Sequence, residues 1–181
     1  VNIATHSFAP PGQTIEVYNN DFLVLNIVRE PVKLIPSYSF NNNTFHARLF
    51  SFPTSQQRPM FEILGTAHFR NNIFSNIAYL FTDISQPPST FKYNGLWKNE
   101  SGFLMDSTNF TAYPVFTDIN YGVTYGEWPV SDTSKLLFST KLQKQSPFID
   151  KGDPLMVDPD GSRSDPGSYG GPYGESYAYK D

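Results

Sequence analysis

The stretch Phe69–Phe74 reads "FRNNIF", and its pattern recurs along the chain. "VYNNDF" ends at Phe22, "FNNNTF" at Phe45 and "KYNGLW" at Trp97. The offsets are 23, 29 and 23 residues, the range in which stacked repeats form. Each copy carries a β-like run, an asparagine at a corner and an aromatic residue soon after. Asparagine tolerates left-handed backbone angles, and stacked asparagines form ladders of amide hydrogen bonds. The aromatic residues of successive copies are expected inside, one on the next. In the fourth copy Tyr93 and an inserted Gly95 predict a bulge.

The surroundings fit this reading. Short β-like runs recur in "TIEVYNN", "FLVLNIV", "VKLIPSYSF", "HARLFSF", "IAYLF" and "KLLFSTKL". Proline and glycine interrupt almost every window long enough for a helix. Aromatics reach 16% of the 181 residues, beside many Asn, Ser, Thr, Gly and Pro. That mix suits an all-β chain with many turns. Periodicity alone leaves two architectures open, a solenoid and a β-sandwich or jelly roll.

Composition also narrows function. Charged residues make up 17% and the net charge is -4, without a basic run, which argues against a nucleic-acid partner. No apolar stretch has the length of a membrane span. There is no cysteine, so disulfides and thiolate metal sites are excluded. The opening "VNIATHSFAPPG" reads like the interior of a longer chain.

The second half carries a family resemblance. "AHFRNNIFSNI", "YPVFTD" (Tyr113 to Asp118), "KLLFSTKLQKQSPFIDKGDP" and "DPDGSRSDPGSYGGP" follow one another over Ala67 to Pro172. In that order they resemble the coil consensus and C-terminal ending of right-handed parallel β-helix proteins of the pectate-lyase-like class. Residues 1–66 join the resemblance only through the asparagine repeat. Pro166 and Ser168 depart from the ending's usual aliphatic residue and alanine, and Gly122–Thr133 is longer than the usual link.

The resemblance implies one right-handed parallel β-helix. Its coils are expected over about Gln13 to Phe110, and a C-terminal capping region over about Thr111 to Asp181 (in domain terms, residues 1–110 and 111–181 of one continuous unit). The cap would close the last coil, whose strand edges are otherwise bare. "SPFID" would be the last inward-facing strand, and Arg163 would pair with a neighbouring aspartate. The class is that of secreted or surface-attached bacterial proteins.

Candidate sites lie in two places. "DPDGSRSD" sets Asp158, Asp160, Ser162 and Asp165 at offsets 0, 2, 4 and 7, a spacing that gathers oxygens for calcium. The residue at the twelfth loop position is Tyr169, where an EF-hand-like loop needs glutamate. The first reading of the same aspartates is as turn-fixing acceptors of backbone N–H groups in a capping loop, with calcium second. No catalytic residue stands out. "HAR" and "HFR" place His46 with Arg48 and His68 with Arg70, each pair on one strand face. If those pairs stack, they form a basic stripe for an acidic glycan. Trp128, with Trp97, Tyr121 and Tyr125, offers aromatic faces for sugar rings. Sequons at Asn42, Asn99 and Asn109 read as coincidence in an Asn-rich chain.

The functional expectation is a non-catalytic extracellular or cell-surface module for adhesion, assembly or glycan recognition. The alternative is a polysaccharide lyase or glycoside hydrolase, or part of one. Calcium is the one cofactor suggested. The expected partners are an extracellular glycan, another protein chain, or a second copy of this one.

Overall fold

The computed structural model describes residues 12–24, 31–47, 59–77, 79–82, 87–99, 106–118 and 139–175. Among them there is no helix. The protein is all-β, and its sheets are mostly parallel. β1 (Thr14–Tyr18), β4 (Ser37–Asn41), β7 (Ala67–Arg70) and β9 (Thr90–Lys92) form one sheet in that order. β2 (Asp21–Val24), β5 (Thr44–Ala47), β8 (Ile73–Ser75), β10 (Gly95–Trp97) and β11 (Phe110–Thr111) form a second. β3 (Val32–Leu34) pairs in parallel with β6 (Phe61–Ile63), and Phe61 bridges Phe81. β12 (Phe116–Asp118) and β13 (Ser139–Leu142) pair antiparallel.

Register explains the repeat. Phe22, Phe45, Phe74 and Leu96 are successive partners across the second sheet, and Val17, Phe40, Phe69 and Phe91 across the first. Parallel neighbours lie about 4.8 Å apart, so like rings in register stack face to face. Phe22 lies on Phe45 at 4.6 Å, Phe45 on Phe74 at 5.0 Å, and Phe40 on Phe69 at 4.9 Å. Phe40, Phe45, Phe61, Phe69 and Phe74 are almost wholly buried, and burying each such side chain contributes roughly 1.5–3 kcal/mol.

The fourth copy is one residue out of the expected frame. Leu96, not Trp97, occupies the aromatic column, and Trp97 is half-buried against Tyr113. Gly95 is no insertion, since it partners Ile73 in register. Its missing side chain matters because a Cβ there would lie 2.3 Å from the Phe148 ring.

The corners are built from two asparagine rows. Asn19, Asn42 and Asn71 take positive φ, as does Tyr93 in the fourth copy. The following residues, Asn20, Asn43, Asn72, Asn94 and Asn109, form the ladder. From Asn43 onward each Oδ1 accepts the backbone N–H and the amide of the ladder asparagine before it, at 2.9–3.2 Å. Their own amides donate to Val17, Phe40, Phe69 and Phe91 carbonyls. Two sequon asparagines, Asn42 and Asn109, are buried in these corners. Asn99 donates to the Phe74 carbonyl and accepts from the Ile77 N–H.

The C-terminal segment, residues 146–175, differs from the expected end cap. It lies along the flank of the strands. Phe148 packs against Gly95 and Phe110. Asp153 N–H donates to the Asn71 side chain, and Gly167 N–H to the Asn71 carbonyl. Asn42 donates to the Asp165 carbonyl, and Asn19 to the carbonyls of Ser168 and Gly170. Tyr173 reaches Tyr18, with ring centres 5.2 Å apart. The segment therefore runs back from the fourth copy to the first, gripped by the outer asparagine row. "SPFID" is a turn rather than a strand, although Phe148 is fully buried in a second small core with Ile73, Phe116 and Leu142.

Candidate functional site

The aspartates of the C-terminal segment hold that segment together. Asp158 accepts N–H groups from Asp165 at 3.1 Å and Gly171 at 2.5 Å. Gly171 has φ 79, and a Cβ there would strike the Asn42 amide at 2.6 Å, so the turn admits only glycine. Asp165 accepts from the Asp150 N–H at 2.5 Å. Both carboxyl groups are buried. Burial raises Asp158 to about 6, against the pull of the Gly171 and Asp165 N–H groups. Burial likewise raises Asp165 to about 7, against the Asp150 N–H and with help from the nearby Asp158 charge.

Asp160 points away into solvent and accepts from the Ser162 N–H and hydroxyl, which hold its carboxyl below the usual range. The four residues suggested for calcium are thus split between a buried pair and an exposed turn. Among the described residues no three acidic or histidine side chains are placed to hold one ion. The expected partner of Arg163 is also replaced: its guanidinium donates to the Gly152 carbonyl at 2.8 and 2.5 Å.

The stacked His-x-Arg stripe does not form. His46 follows its corner asparagines on β5, whereas His68 precedes its own on β7, so the two lie in different sheets. Strand order relative to the corner, not spacing alone, decides the sheet. His46 is buried edge-on to Phe116, and burial lowers its pKa to about 4. Arg48, Trp128, Tyr121 and Tyr125 lie outside the described residues.

His68 and Arg70, by contrast, line a groove of about 360 Å³ on the outer face of the β1–β4–β7–β9 sheet. Alternation puts Glu16, Ser39, His68 and Thr90 in one row across the strands, and Tyr18, Asn41, Arg70 and Lys92 in the next. His68 Nδ1 lies 3.0 Å from the Thr90 hydroxyl. The Asn41 amide donates to Ser39 at 2.8 Å. The far wall comes from the C-terminal segment through Met156, Pro172 and Tyr173. Asp153 reaches Arg70 at 2.8 Å; its carboxylate is almost fully buried, while the Arg70 side chain is 41% exposed.

Glu16, Ser39, Asn41, Tyr18 and Tyr173 were missed by sequence reasoning. The alternation of "TIEVY", with Ile15 and Val17 apolar between the others, was the available signal for Glu16 and Tyr18. Tyr173 had none, because only the return of the segment brings it there. Compared with known protein families, with curated proteins and with solved structures, the chain matches none.

Proposed function

We propose that the chain is part of a right-handed parallel β-helix of the pectate-lyase-like kind, and that it serves as a non-catalytic glycan-recognition module, secreted or at a bacterial cell surface. The observation that carries this reading is the groove. It pairs exposed aromatic faces, Tyr173 and Tyr18, with a row of short polar and charged side chains on rigid strands. Sugar rings stack on such faces while their hydroxyls bond to such rows. The chain's visits to its three parallel sheets in turn, with like residues in register, favour the solenoid over a sandwich.

Lyase or hydrolase activity is less well supported. A lyase base must be free to take a proton, and Arg70 is held by Asp153. Calorimetric titration with a panel of oligosaccharides tests the binding reading. At least one should bind, and Tyr173→Ala should weaken it by roughly three- to tenfold, as expected for one lost stacking face. Turnover of any panel member, seen by reducing ends or an unsaturated product, would favour the enzyme instead.

A further inference from the structure

We propose that the groove selects an uncharged sugar over an acidic one, and that Asp153 sets this preference. The inference rests on the glycan reading above and names the class of sugar. Arg70 is the cation lining the groove, and Asp153 Oδ2 lies 2.8 Å from it. Asp153 is buried and Arg70 is partly exposed, so water screens the pair only in part, and at 2.8 Å the carboxylate offsets the guanidinium charge. The pair adds no net positive charge to the site.

Glu16 is the carboxylate of the lining, and no described residue forms an ion pair with it. It stands on the same face as Arg70, two strands across and two residues along, or roughly 12 Å away. A carboxylate placed at Arg70 would meet the Asp153 carboxylate directly and, at low salt, that of Glu16 within one Debye length. Lys92, the next cation along the row, faces Asp106 at 3.9 Å. An uncharged pyranose meets no such repulsion. Its hydroxyls can donate to Glu16, exchange bonds with Asn41, Ser39 and Thr90, and accept from the guanidinium N–H groups that Asp153 leaves open. Its apolar face can lie on Tyr173, which is 74% exposed. The basic stripe expected from "HFR" is cancelled by a residue more than eighty positions downstream, which is why the sequence suggests the opposite ligand.

The test is calorimetry on the full chain at pH 8, with neutral hexose oligosaccharides and oligogalacturonates as probes, at low salt and at roughly tenfold higher salt. The expected result is neutral binding that changes less than about twofold with salt, and uronate binding at least about tenfold weaker. Asp153→Asn keeps an acceptor for the Leu155 N–H that Asp153 now serves, but releases the Arg70 charge. This variant should gain uronate affinity by about tenfold at low salt and lose that gain at high salt. Wild-type protein that prefers uronates, or a folded Asp153→Asn with unchanged preference, overturns the proposal while the glycan reading stands. If neither probe class binds, both fall. If Asp153→Asn does not fold, the wild-type preference and its salt dependence decide alone.

Discussion

Asn72 shows how much one buried amide can carry. Its Oδ1 accepts from the Asn43 backbone and side chain, and its Nδ2 donates to the Phe40 and Arg70 carbonyls. Asn72→Ala leaves several buried groups without partners, each costing about 1–3 kcal/mol with partial relaxation. A loss of roughly 2–4 kcal/mol in urea unfolding is expected, against a smaller one for Asn20→Ala at the exposed end of the ladder, where the amide's bonds to Tyr18 and Asn43 are lost beside water. The ladder was legible in the sequence because asparagine has few other reasons to recur at such spacing. The frame of the fourth copy was not: Trp97 drew the aromatic position onto itself, and only the register shows Leu96 in the column.

Asp165 gives the residue scale a pH signature. Its folded pKa of about 7 lies above the ordinary 3.8, so between those values the folded state binds more protons than the unfolded chain. Stability should therefore rise as pH falls from about 8.5 to 6.5, by on the order of 1–2 °C in Tm. Asp158 adds in the same direction nearer pH 6. Below about 6.5 His46 acts oppositely, because its folded pKa near 4 makes the unfolded state the better proton acceptor there. Thermal melts across this range should show the rise in the native protein and most of it gone in Asp165→Asn. An unchanged slope in the variant would place the titration elsewhere.

Among the elements, the strands were the easier part to read. β1, β2, β5, β8 and β10 fall in runs marked by alternation and by the corner asparagines. The C-terminal segment was harder, because its order comes from contacts far away in sequence: Phe148 in the space left by Gly95, and Asn42 and Asn19 on its carbonyls. Its aspartates looked like metal ligands because turn-fixing and calcium binding draw on the same Asp-x-Asp-Gly chemistry. In the structure backbone N–H groups satisfy Asp158, and Asp160 serves its own turn. The thermal midpoint should accordingly be the same in calcium and in excess EDTA. A fall in EDTA that calcium reverses, and that Asp160→Ala removes, would give the segment a structural ion.

At the scale of the whole molecule, the segment along the flank joins the two halves of the chain. It ties the first copy to the fourth, covers one face of the second sheet and supplies a wall of the groove. It also delivers Asp153 to Arg70, so the site's shape and charge depend on its docking. A cap that closed only the last copy would do none of this. The absence of native cysteine makes the difference directly measurable. The Thr44 and Ser168 hydroxyls lie 3.3 Å apart although 124 residues separate them. In a Thr44→Cys, Ser168→Cys variant, the expected result of mild oxidation of the folded protein is rapid, near-complete formation of an intramolecular disulfide, with the melting midpoint raised by the closed loop. Thiols that stay free in the folded protein and pair only after unfolding would contradict the flank-bound segment and the groove built on it.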